Sequence, residues 1–222
     1  MVRAILAGAK TQTRRVCKAA ALKGGTDFRD ADGWPMRHDI GCGDVRAGCP
    51  YGAVGDRLFV RETYFAFGRW ETRFSVTKGR DEWHFIDMAA AAREDYLYAA
   101  DGVSNTGAFI KRRTDPRPMH WQRPSIFMPR WVSRITLELT GVRVERLQTI
   151  SDADAIAEGI SFSAPFGGYH TEDGRQFHCT DPIESYASLW EAINGAGSWD
   201  ANPFVWCVSF RRIDTSTQRE AA

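Results

Sequence analysis

The stretch Ile135-Thr136-Leu137-Glu138-Leu139-Thr140-Gly141-Val142-Arg143-Val144 alternates apolar with polar side chains. Successive side chains of a strand point to opposite faces, so a period of two places the apolar set on one face of a sheet. The whole run Trp131 to Leu147 reads as one long strand, with Gly141 marking a bulge or bend. Two more strands flank it in the chain. Asp56 to Thr63 is entered through Gly55 and alternates β-formers with charges. Phe204 to Phe210 is apolar on both faces, as a central or barrel strand is. Strands dominate and do not alternate with helices, so the expected fold class is α+β, a small mixed β-barrel with short helices rather than a doubly wound sheet.

Helix signals are fewer. Ser151 to Glu158 has a Ser N-cap, Asp152 and Asp154 in its first turn and Gly159 as a stop. Pro182 to Asn194 has Asp181 as N-cap, Pro at the first helical position and Gly195 after its end. Its apolar residues Ile183, Tyr186, Leu189, Trp190 and Ile193 have helical spacing. A short turn spans Arg3 to Ala7. The stretches 18–54, 65–130 and 162–181 are rich in Gly, Pro and Asp and read as long loops, which are uncommon in a compact domain unless they have a task. The expected organisation is a single domain over 1–213, with insertions at about 65–130 and 162–203 and a disordered polar tail at 214–222.

A chain of 222 residues with 43% hydrophobic and 26% charged residues can bury a normal core, which excludes disorder throughout. The net charge of +1 excludes a uniformly basic binder but leaves room for local basic patches. No apolar run is long enough to span a membrane. Met1 to Leu6 lacks the apolar stretch of a signal peptide, and the five cysteines have no tight spacing, so reduced thiols and a cytoplasmic location are expected. His38, Cys42, Cys49, His178 and Cys179 could be drawn into a zinc site, but no Cys-x-x-Cys pair exists, and loop or buried cysteines are the simpler reading. No metal or cofactor is expected. There is no Gly-x-Ser-x-Gly elbow and no glycine-rich phosphate loop.

Charge is unevenly distributed. Arg3, Lys10, Arg14, Arg15 and Lys18 fall in residues 1–18 without one acid. Residues 111–134 carry Lys111, Arg112, Arg113, Arg117, Arg123, Arg130 and Arg134 against Asp115 alone, with Trp121, Phe127 and Trp131 among them. Guanidinium groups bind phosphate and flat rings stack on unpaired bases, so this segment is a candidate nucleic-acid surface. A solvated rim in which the Trp residues anchor a loop has the same composition.

Ile5-Leu6-Ala7-Gly8-Ala9-Lys10-Thr11-Gln12-Thr13-Arg14-Arg15 is the chemical candidate. If it turns, Lys10 and Thr13 share a side. A lysine among other cations and partly desolvated has a lowered pKa and can act as a base, and a nearby threonine can be an activated nucleophile. Glu158 is a second oddity. It ends a short helix, where the dipole disfavours a carboxylate unless a cation is near. Pairing with Lys10 or accepting a proton would explain it, as would exposure at a frayed end.

The pattern Ile5-Leu6-Ala7-Gly8-x-Lys10-Thr11-x-Thr13-x-Arg15 resembles the opening motif of the ASCH domain, a branch of the PUA-like barrel superfamily. Gly55-Asp56-x-Leu58-x-Val60, Leu147 to Gly159 and Phe204 to Phe210 resemble later pieces of that family in the same order. The resemblance covers about half of the chain and is nearest to the small N4-acetylcytidine amidohydrolases of the family. It implies a catalytic set of Lys10, Thr13 and Glu158. From the distribution of charge and rings, Arg14, Arg15, Trp121, Arg123, Arg130 and Trp131 are expected as substrate or nucleic-acid contacts. Many ASCH domains carry Glu where Thr13 stands, and the long loops resemble those of phage and prophage forms. A nucleoside or RNA partner is expected, with no membrane and an unknown protein partner. Hydrolysis of an N-acylated cytidine-like nucleoside is the leading expectation. Non-catalytic binding of RNA or a modified base, RNA cleavage, and a structural role in docking another protein are the alternatives.

Overall fold

The computed structural model describes residues 1–17, 30–39, 43–46, 48–92, 94–103, 113–165, 167–171 and 179–213. The expected tail at 214–222 lies outside them, as do Lys18, Cys42, Lys111, Arg112, His178 and the His38 side chain. In chain order the elements are α1 (Val2–Leu6), β1 (Gln12–Val16), β2 (Met36–Asp39), β3 (Gly43–Arg46), β4 (Arg57–Phe59), β5 (Tyr64–Ser75), β6 (Arg80–Asp87), α2 (Ala89–Ala92), β7 (Leu97–Tyr98), β8 (Met119–Arg123), β9 (Thr136–Arg146), α3 (Asp152–Ala157), β10 (Ile160–Ser163), β11 (Gly168–Thr171), α4 (Pro182–Asn194) and β12 (Phe204–Ile213). The architecture is mixed α+β and strand-rich. The chain divides into two compact units, one from Met1–Leu58 with Ile135–Ala222 and one from Phe59–Arg134.

The first unit is built on a curled sheet of order β1-β12-β9-β4. β12 is central and antiparallel to both β1 and β9. The register shifts between Ser209 and Phe210, opposite the expected bend at Gly141, because Thr140 is an extra residue. The long strand begins at Thr136 rather than Trp131, since Arg130–Val132 closes a 3-10 turn. Two helices start as read. The Ser151 side chain accepts from the Asp154 N–H at the start of α3, and the Asp181 side chain accepts from the Ile183 N–H at the start of α4. Residues 12–16 differ from the sequence expectation. Instead of turning, they pair with β12 as an edge strand, because Gln12 and Arg14 are buried on one face.

Register aligns Arg14 with Cys207 and Cys207 with Arg143, a row across three strands. The apolar cluster behind this sheet combines Leu147, Ile150, Ala155, Ile160, Val205 and Cys207 with Tyr186 and Trp190 of α4. Burying an aliphatic side chain in such a cluster removes it from water at about 25 cal/mol per Å².

The second unit carries β5 to β8, where the sequence suggested loops. β5 pairs with β6 along Gly68–Ser75, and with β7 and β8 along its first residues. Alternation is hidden because the outer half of the β5–β6 ribbon is solvated on both sides, leaving Arg69, Glu71 and Arg73 among the aromatics. Gly68 is required by contact: a Cβ there would sit 2.1 Å from the Ile86 carbonyl oxygen. Its core is Tyr64, Ala66, Met128 and Val132, flanked by Phe85, Tyr96 and Tyr98.

Leu147 is fully buried where β9 hands over to α3. Leu147→Ala is expected to lower unfolding free energy by about 2–5 kcal/mol, read from denaturant midpoints at unchanged slope.

Candidate functional site

Two backbone hydrogen bonds bring the chemical candidates together. The Lys10 N–H donates to the Ala4 carbonyl at 3.1 Å and the Thr11 N–H donates to the Ala157 carbonyl at 2.9 Å. The entrance of β1 is thereby stitched to α1 and to the last turn of α3. Glu158 caps α3, and its own N–H is held by Asp154 at 2.9 Å. Lys10 Nζ then donates to both Glu158 Oε2 and the Glu158 carbonyl oxygen, each at 2.6 Å. One ammonium therefore answers a carboxylate and the carbonyl end of a helix at once. Gly159 makes room for this. Its φ of +98° is a backbone state that side chains rarely tolerate, and the Lys10 Cβ lies 3.4 Å from where a Cβ would stand.

Both groups are buried, Lys10 at 7% and Glu158 at 6% exposure. Burial lowers the Lys10 pKa below the ordinary lysine value. Glu158 opposes that shift, and Arg15 and Arg14 reinforce it. The Tyr186 hydroxyl donates to Glu158 Oε1 at 3.4 Å, and burial pushes its own ionisation upward.

Arg14 lies beneath the pair. Its NH2 reaches Glu145 Oε1 at 2.7 Å and Asp154 Oδ2 at 3.1 Å, and its NH1 lies 3.6 Å from Glu158 Oε1. Arg143 bridges the same two carboxylates from the other side, at 2.9 Å each. The Gln12 amide, with its nitrogen toward Asp154 and its oxygen toward Arg143, completes the network at 2.8 and 2.9 Å. The Cys207 thiol donates to Glu145 Oε1 at 3.1 Å, and burial keeps it protonated. Burial raises the Glu145 and Asp154 carboxyls, but hydrogen bonds from Arg143 and the Arg14 charge outweigh it and hold both below their ordinary range.

A cavity of about 360 Å³ opens over Lys10 and Glu158. Met1, Ala4 of α1, Arg14 and Arg15 of β1, and Tyr186 and Trp190 of α4 contribute to its lining, so every wall belongs to the first unit. The pocket is polar at its base and apolar along α4, the usual character of a small-molecule site.

Of the expected catalytic set, Lys10 and Glu158 meet in this cavity. Thr13 is half-buried on the strand face opposite Gln12 and Arg14, where its hydroxyl accepts from Arg15 NH1 at 2.9 Å, and it does not line the cavity. Arg15 is exposed at the cavity wall. Trp121, Arg123, Arg130 and Trp131 belong to the second unit. Trp121 is buried there, its Nε1 donating to the Gly68 carbonyl at 3.0 Å. Arg123 stacks on Trp70, Phe85 and Phe127, while Arg130 and Trp131 are exposed. Among the described residues no group of His, Cys, Asp and Glu could hold a metal ion.

Sequence reading missed Tyr186 and Trp190 as cavity walls, and Arg143, Glu145 and Asp154 as the network under Lys10. The alternation Arg143-Val144-Glu145 in a central strand was the available signal, since two charges on one face of such a strand need partners. Compared with known protein families, curated proteins and solved structures, the chain matches none.

Carboxylates held low in the folded state stabilise it above their unfolded pKa, and that stabilisation is lost as pH falls through the folded values. Thermal midpoints should therefore drop as pH falls below about 4.5, the ordinary Glu145 value. The Glu145→Gln, Asp154→Asn double variant should have a lower midpoint at neutral pH and a flatter acid limb.

Proposed function

We propose that the cavity of the first unit is a hydrolytic site for an N-acylated cytidine-like nucleoside, in a barrel of the ASCH and PUA-like type. The observation that carries this reading is the 2.6 Å contact of Lys10 Nζ with Glu158 Oε2 at the base of a 360 Å³ cavity. The resemblance of the Gly8-x-Lys10 segment to the ASCH opening motif supports it, as does the placing of that segment beside the closing strand β12. The volume falls at the lower end of the range of about 300–1,000 Å³ typical of ligand pockets, and Tyr186 and Trp190 offer flat walls to a base.

In this reading the nucleophile is a water, because the Thr13 hydroxyl does not line the cavity. Lys10 in its neutral form, which burial favours, takes one proton from the water. The oxygen adds to the acyl carbon, and Arg15 at the cavity wall stabilises the oxyanion. The carbon–nitrogen bond then breaks. Lys10 and Glu158 return the proton to the leaving exocyclic amine, giving a carboxylic acid and the free nucleoside. The burial of Lys10 strengthens each of these charge interactions.

Purified protein is expected to release acetate from N4-acetylcytidine. Lys10→Ala and Glu158→Gln should each lower kcat by about 100-fold or more. Because the neutral amine is the base, the wild-type rate should rise with pH through an inflection below the ordinary lysine value of 10.5. No turnover across a panel of N-acylated nucleosides, or a full rate in Lys10→Ala, overturns the reading. RNA bound without product and lost in Lys10→Ala would favour a binding module, and RNA cleaved in a Lys10-dependent way would favour a nuclease.

A further inference from the structure

The second unit presents a face that the hydrolytic reading does not use. Ile126, Phe127 and Trp131 are 67%, 55% and 62% exposed, although they fall within a six-residue stretch that also holds the buried Met128. They stand on two 3-10 turns, Ser125–Phe127 and Arg130–Val132, each preceded by a proline. Hydrogen bonds hold both turns. The Phe127 N–H donates to the Pro124 carbonyl at 3.0 Å and the Val132 N–H to the Pro129 carbonyl at 3.1 Å. The Tyr64 hydroxyl donates to the Phe127 carbonyl at 3.1 Å, and the Tyr98 hydroxyl to the Val132 carbonyl at 2.8 Å. Met128 and Val132 point into the core and act as anchors, so the outward rings are held in place rather than left to collapse.

Cations accompany the rings. Arg61 NH1 donates to the Ile126 carbonyl at 3.3 Å, and the Arg123 guanidinium lies 4.9 Å from the Phe127 centroid. Arg130 adjoins Trp131, whose ring meets Tyr96 edge-on at 5.4 Å. Arg61, Arg123 and Arg130 have no carboxylate within ion-pair distance among the described residues. Four carboxylates of this unit are engaged elsewhere. Arg134 holds Glu62 and Asp101, Arg117 holds Asp115, and Asp87 accepts from the Tyr96 hydroxyl. What remains is a preorganised set of exposed rings flanked by uncompensated guanidinium groups.

We propose that this face binds a single-stranded polynucleotide, its unpaired bases stacking on Phe127 and Trp131 and its phosphates answering Arg61, Arg123 and Arg130. Flat apolar groups on a negatively charged thread are what such a surface complements. Rigid rings also lose little conformational freedom on binding. An acidic protein surface would meet the charge but leave the rings without stacking planes. The inference rests on residues of the second unit alone, so its fate is separate from that of the cavity.

The test is fluorescence anisotropy of the full chain with a labelled uridine 12-mer across a salt series. The expected result is binding that weakens as salt rises, with Phe127→Ala and Trp131→Ala each weakening it about tenfold. Arg130→Gln should reduce the magnitude of the log–log salt slope by about 0.7. A duplex of the same length should bind less tightly, since its bases are already stacked. Because all three positions are exposed, unchanged thermal midpoints should accompany these effects. Absence of binding at low salt, wild-type affinity in both ring variants, or equal affinity for the duplex overturns the proposal.

Discussion

The burial of one ammonium organises the first unit. Lys10 cannot be withdrawn from water without partners, since an isolated buried charge costs many kcal/mol. Glu158 supplies them twice, through its carboxylate and through its backbone carbonyl. Both constrain α3: the carboxylate and the carbonyl need a helix capped at Glu158 whose last turn faces β1. Gly159 provides the left-handed exit that makes both possible. Conversely, Glu158 sits at the unfavourable end of the α3 dipole and is tolerable there because Lys10 arrives.

The same logic extends one layer down. Arg14, almost wholly buried, faces Glu145, Asp154 and Glu158, and Arg143 closes the ring from β9. Two Arg nitrogens, Nε and NH1 of Arg14, still lack a hydrogen-bond partner among the described residues. Such a network is weak ground for stability, because desolvation offsets most of the attraction, but removing one member strands the others. Its consequence is positional. Glu158 is fixed by Lys10, Arg14 and Tyr186 together, so the base of the cavity holds one geometry while the α4 wall remains apolar. A preorganised carboxylate–amine pair next to an apolar wall is what proton transfer to a flat substrate requires.

Much of this was legible in the sequence where one local rule decides. Alternation marked β9, the Ser151 and Asp181 caps marked the two helices, and the wrong-end carboxylate at Glu158 called for a cation. Less was legible where tertiary pairing decides. Lys10 to Arg15 carries cations and hydroxyls with no strand signature, and residues 12–16 become β1 only because β12 offers an edge. That pairing puts Thr13 on the strand face opposite Gln12 and Arg14 and out of the cavity, against the expectation that it shares a side with Lys10. The β5–β6 ribbon hid its alternation because half of it has no dry face. Trp121 had the composition of a stacking ring, but the hydrogen bond of its indole to Gly68 commits it to the core. Tyr186 and Trp190 fit a core stripe equally well as a cavity wall, and only the packing of α4 against β1 and α3 separates the two.

The central claim is that Lys10 is a buried amine whose charge is held chiefly by Glu158. NMR titration of the Lys10 side chain in wild type and in Glu158→Gln addresses it directly. The account predicts a wild-type pKa below the ordinary lysine value of 10.5 and a further fall in the variant, because Glu158 is the group that opposes the effect of burial. A Lys10 that titrates like a solvated lysine and does not respond to the loss of the carboxylate would contradict it.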